Sequence, residues 1–190
     1  METQKKISIS NWSRVEEEFR RKRDLLLKTI NSKEVAAAPF VYADRQLVST
    51  ILTRIEMFKK IVDVQGAVVE CGVHKGNSLF LYYHLSTILE PYNFNRKIIG
   101  FDTFEGFRSL AEEDDPNLSK GDFSDTSFSR LNEMASLHDT NRSVSHIEKM
   151  ELIKGDAMNT IPEFADKNPH LIIAFLYLDF DIYKPTTTAL

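Results

Sequence analysis

The sequence of 190 residues contains one cysteine, Cys71, so an internal disulfide is excluded. It contains no apolar run long enough to span a membrane, and its first residues show no signal-peptide pattern. Basic residues are not in excess, because 24 Lys and Arg stand against 28 Asp and Glu, and the net charge is −4. These features predict a cytoplasmic protein with neither a membrane nor a nucleic acid as its partner.

Hydrophobic residues make up 42% of the chain, which is enough for one sizeable core. The first third has the apolar periodicity of helices, including one from about Asp44 to Val62. We therefore expect a helical extension or lid over residues 1–62 and an α/β domain over residues 63–190. A polar insertion at about 108–149 interrupts this domain, and its length is typical of a lid or a disordered loop.

Four short apolar segments predict strands of a parallel sheet. The predicted strands are Ala67–Val69, Lys97–Phe101, Met150–Lys154 and Leu171–Leu178. An acidic residue comes within two residues of each strand's end: Glu70, Asp102, Asp156 and Asp179. Each acid alone is weak evidence, since turns favour Asp. Ligands of open α/β sheets bind outside the carboxyl ends of the strands, so four such acids predict one ligand-binding crevice.

A glycine turn joins the first predicted strand to a helix predicted over Asn77–Leu89. The turn reads Glu70-Cys-Gly-Val-His-Lys-Gly-Asn-Ser78. Its second glycine follows the first by four residues, whereas the dinucleotide fingerprint requires a spacing of two. The acid two residues before the first glycine resembles the nucleoside-binding loop of S-adenosylmethionine (SAM) methyltransferases, with His74 in place of the middle glycine. A plain strand-to-helix turn is the alternative interpretation.

The last apolar run leads into Asp179 and Asp181, which would share one face of an extended backbone. A carboxylate pair at the end of a strand suits a divalent cation, a general base, or one of each. Two solvated acids at a strand exit are the other interpretation. The sequence has no cluster of Cys and His that would suggest zinc, and oxygen ligands favour magnesium.

Three segments together resemble the macrocin O-methyltransferase family. They are Val69–Ser78, Gly100–Phe107 and Leu178–Thr186, and the resemblance covers roughly Pro39–Leu190. It implies an α/β fold of the class I SAM-methyltransferase type, a Rossmann-like parallel sheet with helices on both faces. It also implies a SAM- and magnesium-dependent enzyme of natural-product pathways, acting on a hydroxyl of a sugar or glycosylated metabolite.

The resemblance also implies roles for individual residues. Asp179 is expected to be a metal ligand and Asp181 the general base. Asp102, at the end of the second strand, is placed to bind the ribose of SAM, and the adenine would lie near Asp156. The full set of expected cofactor-binding residues is Glu70, Gly72, Val73, Gly76, Ser78, Asp102, Thr103, Asp156 and Ala157.

The family's sheet has seven strands, and its metal site uses a further Asp-Asp pair after the fifth. Only four strand signals are visible here, so we expect a carboxy-terminally incomplete methyltransferase, weak or inactive as a chain of 190 residues. A partner chain or a domain-swapped homo-oligomer would complete such a sheet. Two other functions stay open, a non-catalytic SAM-binding or interaction protein and an NAD-dependent oxidoreductase.

Overall fold

The computed structural model describes residues 14–190 of the chain. The helices, in chain order, are α1 Arg14–Leu27, α2 Ser32–Ala37, α3 Pro39–Tyr42, α4 Arg45–Lys59, α5 Asn77–Leu89, α6 Phe128–Asp139, α7 Ala157–Lys167 and α8 Tyr183–Ala189. The strands are β1 Ala67–Cys71, β2 Ile98–Asp102, β3 Met150–Lys154 and β4 Ile173–Leu178. Among the described residues, no helix has both the length and the apolar character needed to cross a lipid bilayer.

The chain divides into two compact units, and the boundary between Leu52 and Thr53 lies inside α4. The first unit contains α1 to α3 and the start of α4, as far as the structure describes it. The second unit contains the end of α4, all four strands and the remaining helices. The predicted division into residues 1–62 and 63–190, with a lid function for the first segment, stays a prediction.

The four strands form one parallel sheet in the order β3-β2-β1-β4. β1 is buried along its whole length and β2 along all but its last residue, as expected for apolar strands covered on both faces. The chain builds outward from β1 to β3 on one side and then returns to place β4 on the other side of β1. This reversal creates a topological switch point between β1 and β4.

Side chains of the sheet alternate between two apolar layers. On one face, Val68 and Ile98 pack with residues of α4, α5 and α6. On the other face, Val69 and Ile99 pack with residues of α7 and with the end of α8. The predicted α/β class, a parallel sheet with helices on both faces, is therefore confirmed.

Several predicted elements needed correction at their ends. The strand predicted to stop at Val69 continues through Glu70 to Cys71, so Glu70 lies inside β1 rather than in the turn. The predicted strand over residues 171–178 begins two residues later, at Ile173. By contrast, β3 and α5 have the bounds that the sequence predicted.

Arg96 connects the segments that enter β1 and β2. Its side chain is fully buried and forms an ion pair with Glu90, with a closest separation of 2.6 Å from Nη2 to Oε1. It also donates hydrogen bonds to the carbonyl of Gly66 at 2.6 Å and to that of Ile61 at 2.8 Å. These bonds attach the turn after α4 and the residue before β1 to the loop before β2, so Arg96 holds together the segments that lead into both central strands.

We expect Arg96→Met to destabilise the protein by about 3–5 kcal/mol, because Glu90 would keep a buried charge without its partner. The measurement is urea-induced unfolding, analysed by linear extrapolation. The double variant Arg96→Met/Glu90→Gln should recover part of the loss, since the uncompensated charge is then removed. Lys167→Met, which breaks an exposed ion pair with Glu163, is the control and should change the free energy of unfolding by less than about 1 kcal/mol. A loss no larger than that of the control would contradict the role given to Arg96.

Candidate functional site

A cavity of about 410 Å³ lies at the carboxyl ends of the four strands, within the second unit. Its volume is in the usual range of about 300–1,000 Å³ for small-molecule sites. The four acids predicted at the strand ends all line it: Glu70, Asp102, Asp156 and Asp179. The fold therefore brings together side chains that are up to 109 residues apart in the sequence, 179 minus 70.

Most of the other predicted site residues line the same cavity. They are Gly72, Val73, Ser78, Thr103, Ala157 and Asp181. Gly76 is not among the lining residues. It is the N-cap of α5 with φ 80°, and a Cβ at this position would be 3.1 Å from side-chain atoms of Leu131 and Phe80. Its place in the motif is explained by the left-handed turn and close packing.

Gly72 allows β1 and β4 to converge at the cavity floor. Its φ is 95°, and a Cβ added there would lie only 2.2 Å from the carbonyl oxygen of Asp179. The backbone N–H of Asp179 donates to the carbonyl of Cys71 at 2.7 Å. Any side chain larger than hydrogen at position 72 would therefore displace Asp179.

The carboxylate of Asp102 organises two turns at once. Its Oδ2 accepts the backbone N–H of His74 at 2.7 Å, and its Oδ1 accepts that of Phe104 at 2.7 Å. His74 and Phe104 have positive φ angles of 47° and 53°, conformations that L-residues rarely adopt. The two hydrogen bonds fix the orientation of the carboxylate, and each oxygen keeps a lone pair for a ligand hydroxyl.

His74 also connects the glycine turn to the polar insertion. Its Nε2 lies 2.8 Å from Oδ1 of Asp125, and its backbone carbonyl accepts the hydroxyl of Thr126 at 2.7 Å. Lys75 pairs with the other oxygen of Asp125 at 2.6 Å. The ring of Phe123 stands edge-on to the imidazole, with 5.1 Å between the centroids. The histidine that replaces the middle glycine of the motif therefore holds the insertion against the turn.

The insertion supplies one wall of the cavity. Its lining residues are Arg108, Ser109 and Phe123, and Phe107 lies just before it. The rings of Phe107 and Phe123 pack edge to face with 5.3 Å between their centroids. The length of this segment was typical of a lid or a disordered loop, and its polar composition alone did not indicate which of its side chains face inward.

Glu70 is the most buried acid of the cavity, with 1% of its surface exposed. Burial raises its pKa to about 8, although the charge of Arg54 and a hydrogen bond with Ser78 act in the opposite direction. Its Oε2 has no hydrogen-bond partner among residues 14–190. Neighbouring Cys71 is also buried, and burial raises the pKa of its thiol to about 12, which agrees with a packing role rather than a nucleophilic one.

Arg54 of α4 is a cavity residue that the sequence interpretation missed. Its side chain is 13% exposed, and its Nη2 donates to the hydroxyl of Tyr177 at 3.0 Å and lies 3.8 Å from Oδ2 of Asp179. In the sequence it follows Ile51 by three residues and precedes Phe58 by four, so it falls on the apolar stripe of the helix. A charged residue on that stripe was the signal that would have identified it.

Asp179 and Asp181 both line the cavity, but not as alternate residues of a strand. β4 ends at Leu178, and Asp181 adopts a left-handed φ of 57°, so the extended backbone assumed from the sequence was wrong. Burial raises the pKa of both carboxyls; the nearby Arg54 opposes the shift at Asp179, and the charge of Asp179 adds to the shift at Asp181. No group of three or more potential metal-ligating side chains occurs in the described part of the chain.

Comparison with known proteins identifies structural relatives. No protein-family model matches the chain, and no curated protein matches it significantly. A crystal structure of CalS11, a calicheamicin methyltransferase, matches with a TM-score of 0.86 and 28% identity. An apo structure of CalS11, a TDP-rhamnose 3′-O-methyltransferase of calicheamicin biosynthesis, matches with a TM-score of 0.76 and 28% identity. Each match covers 95% of this chain and 73% of the CalS11 chain.

The likeness extends over nearly the whole chain. It confirms the class I methyltransferase fold that the sequence predicted, and it confirms the predicted class of enzyme, an O-methyltransferase. It supports a sugar O-methyltransferase without singling out the macrocin family. The roles predicted for individual site residues are not tested by this comparison.

We expect Glu70→Gln to remove a pH-dependent loss of stability in the ligand-free protein. The pKa of Glu70 is raised from 4.5 in the unfolded chain to about 8 in the folded one, so this group favours folding most below pH 4.5, and that contribution is lost as the pH rises to 8. Above pH 8 the variant should be more stable than the native protein by a few kcal/mol, the order of magnitude that corresponds to the shift in the pKa of Glu70.

The test is the difference in the free energy of unfolding between variant and native protein, measured in urea from pH 5 to pH 9. Glu151→Gln removes an exposed carboxylate of β3 and serves as the control, with a flat difference expected. A flat difference for Glu70→Gln as well would show that its carboxylate is not desolvated.

Proposed function

We propose that the protein transfers the methyl group of SAM to a hydroxyl of a sugar or a related glycosylated metabolite. One observation carries the proposal: all four strand ends contribute acids to one cavity at the switch point of a methyltransferase fold. An open α/β sheet binds its ligand at this position. The residues at the cavity match a ligand that has a nucleoside and a charged end.

The residues present fit SAM. Asp102 offers a carboxylate held by two backbone amides, the arrangement that suits ribose hydroxyls. Asp156 caps α7 through Met158 and lies beside the space where the adenine is proposed to bind. The unpartnered Oε2 of Glu70 provides an acceptor for a positively charged group. When bound, SAM supplies an activated methyl group on its sulfonium sulfur.

The residues also fit a hydrated magnesium ion. Mg²⁺ is commonly held by one or two carboxylates together with several waters. Asp179, with its side chain 45% exposed, is the proposed ligand, and Asp181 lies two residues further along the same cavity wall. Since the described chain has no cluster of three ligating groups, we propose weak binding in which water supplies most of the ligands. A bound divalent cation supplies Lewis acidity that lowers the pKa of a hydroxyl group.

The remaining catalytic work falls to groups of this chain. We propose that Asp181 accepts the proton of the acceptor hydroxyl, since an unactivated hydroxyl is a poor nucleophile at neutral pH. Phe107 and Phe123 form an apolar wall that excludes water from one side of the cavity. Asp102 fixes the two turns that contain His74 and Phe104, and we propose that these turns hold SAM in place. Alignment of the acceptor oxygen with the methyl group and the sulfur of SAM then contributes to the rate.

The acceptor is proposed from chemistry and from the structural relatives. CalS11 is described as acting on TDP-rhamnose, and this chain resembles it along 95% of its length. We therefore propose a sugar hydroxyl, in a natural-product pathway, as the methylated group. Membership of the macrocin O-methyltransferase family belongs to this proposal. A cytoplasmic location and a homo-oligomeric state stay predictions from the sequence.

We expect the 190-residue chain to bind S-adenosylhomocysteine, the demethylated product of SAM, in isothermal titration calorimetry. Asp102→Asn should weaken this binding by about 1–3 kcal/mol, because one carboxylate oxygen becomes an amide that cannot accept hydrogen bonds. Asp166→Asn, an exposed substitution in α7, is the matched control and should leave the affinity unchanged. Binding of NAD(H) without any binding of SAM or its product would refute the proposed function.

The roles of the two terminal acids predict different responses to substitution. Asp179→Asn should weaken Mg²⁺ binding measured by calorimetry, whereas Asp181→Asn should leave it nearly unchanged and slow methyl transfer by about 10²–10⁴-fold. Turnover is measured with protein in excess over a TDP-linked deoxysugar, so that even a slow chain gives a measurable methylated product. Equal loss of metal binding in both variants would show that the two roles are not separate.

A further inference from the structure

Asp114, in the polar insertion, caps α8 from a distant part of the chain. Its Oδ1 accepts the backbone N–H of Tyr183, the first residue of α8, at 2.6 Å. Its Oδ2 accepts the backbone N–H of Ala111 at 2.6 Å, which fixes the carboxylate within the insertion. The N-cap residue, Ile182, has an apolar side chain that cannot accept a hydrogen bond. The helix is therefore capped by a residue that lies 69 positions earlier in the sequence.

This contact anchors the second end of the loop that carries Asp181. At the first end, the backbone N–H of Asp179 donates to the carbonyl of Cys71 at 2.7 Å. At the second end, two residues after Asp181, the N–H of Tyr183 donates to Asp114. Between these anchors Asp181 adopts a left-handed φ of 57°, a conformation that persists where the surroundings impose it. A hydrogen bond to a charged carboxylate is among the stronger ones, so it can help to impose that conformation.

We propose that Asp114 is a positioning residue for methyl transfer, which holds the loop so that the carboxylate of Asp181 faces the acceptor hydroxyl. The inference rests on the proposed function, in which Asp181 accepts the proton of that hydroxyl. Asp181 lines the cavity, whereas Asp114 stands outside the set of lining residues that the structure describes. Asp114 therefore acts through the loop and not by contact with a ligand.

Other contacts keep α8 in place when the cap is removed. Pro185 is buried at the cavity, and Ala189 packs into the apolar layer on the α7 side of the sheet. Loss of the cap is therefore expected to loosen the loop without detaching the helix. A displacement of about 1 Å at a reacting group can slow an enzyme by about 10²-fold, so a loosened loop is sufficient to affect turnover.

The experiment removes the cap from either side. Asp114→Ala removes both hydrogen bonds, whereas Asp114→Asn keeps an amide oxygen that can accept the N–H of Tyr183. Tyr183→Pro removes the donor and leaves Asp114 intact. Proline is accepted at the first position of a helix, and Ile182, with φ −131° and ψ 149°, already has the conformation that precedes a proline. Asp115→Ala is the matched control, because Asp115 accepts the N–H of Asn117 at 2.8 Å within its own turn.

Three quantities are measured for each protein. Single-turnover methyl transfer, with SAM saturating and protein in excess over a TDP-linked deoxysugar, gives the maximal rate and the half-saturating concentration separately. Calorimetry gives the affinity for S-adenosylhomocysteine. Amide hydrogen exchange, followed by NMR, reports whether the N–H of Tyr183 is still held.

We expect Asp114→Ala and Tyr183→Pro to lower the maximal rate at least about tenfold, because the reacting group is displaced. The half-saturating concentration and the affinity for S-adenosylhomocysteine should stay as in the native protein. Asp114→Asn should recover most of the rate. In Asp114→Ala the amide of Tyr183 should exchange with solvent at least about tenfold faster, since its acceptor is lost. Asp115→Ala should match the native protein in all three measurements.

The Asp181→Asn background shows whether Asp114 acts through Asp181. In that background Asp114→Ala should cause no further loss of rate, because the group that it positions is already absent. A merely structural role would instead lower the rate by the same factor in both backgrounds.

Several outcomes would overturn the inference. They are an equal loss of rate in both backgrounds, a native rate in Asp114→Ala or in Tyr183→Pro, an Asp114→Asn variant as slow as Asp114→Ala, and an affinity for S-adenosylhomocysteine that falls with the rate. If Asp114→Ala did not fold, Tyr183→Pro would decide by the same criteria. In all these cases the native protein still transfers the methyl group, and the proposed function stands. If the native protein transferred no methyl group, the proposed function would fail together with the inference.

Discussion

Asp179 donates its backbone N–H to the carbonyl of Cys71 at 2.7 Å, and this hydrogen bond draws the end of β4 against the glycine turn. The approach is close enough that a Cβ on Gly72 would lie 2.2 Å from a backbone oxygen. The cavity opens where these two strands separate, so its floor depends on this contact. Glu70 before the turn and Asp181 after the strand face one space because their backbones are joined here.

Strained backbone and buried polar atoms without a hydrogen-bond partner, Nε of Arg54 and Oε2 of Glu70, occur together around this space in the described part of the chain. His74, Phe123 and Asp181 have positive φ angles, and all three line the cavity. Such conformations cost about 1–3 kcal/mol each and persist where the surroundings impose them. At His74 the constraint is visible, because Asp102 holds its N–H while Asp125 holds its ring. The protein thus keeps a preformed site at some expense of stability, as functional sites commonly do.

Sequence patterns predicted best the elements whose first and last residues are marked by local composition. β3 and α5 have the predicted bounds, since an apolar run between polar residues and a helix that stops before Pro91 are local signals. α7 was not predicted as a helix; Asp156 caps it, but Pro162 lies inside it and interrupts the local helical signal. β4 ends at Leu178 as predicted, but the extended backbone assumed for Asp179 and Asp181 was wrong, because Asp181 adopts a left-handed φ of 57°.

Glu70 was predicted from the sequence as a site residue, whereas Arg54 was not, and the difference shows what the sequence by itself determined. Spacing and composition identified the strand ends, their acids and the glycine turn, because parallel strands bring their carboxyl ends to one edge of a sheet. Tertiary packing decided that α4 brings a guanidinium to this edge. It also decided that Nε of Arg54 and Oε2 of Glu70 have no hydrogen-bond partner among residues 14–190. Whether a charged side chain is exposed or buried depends on distant neighbours such as Tyr177, which no local pattern specifies.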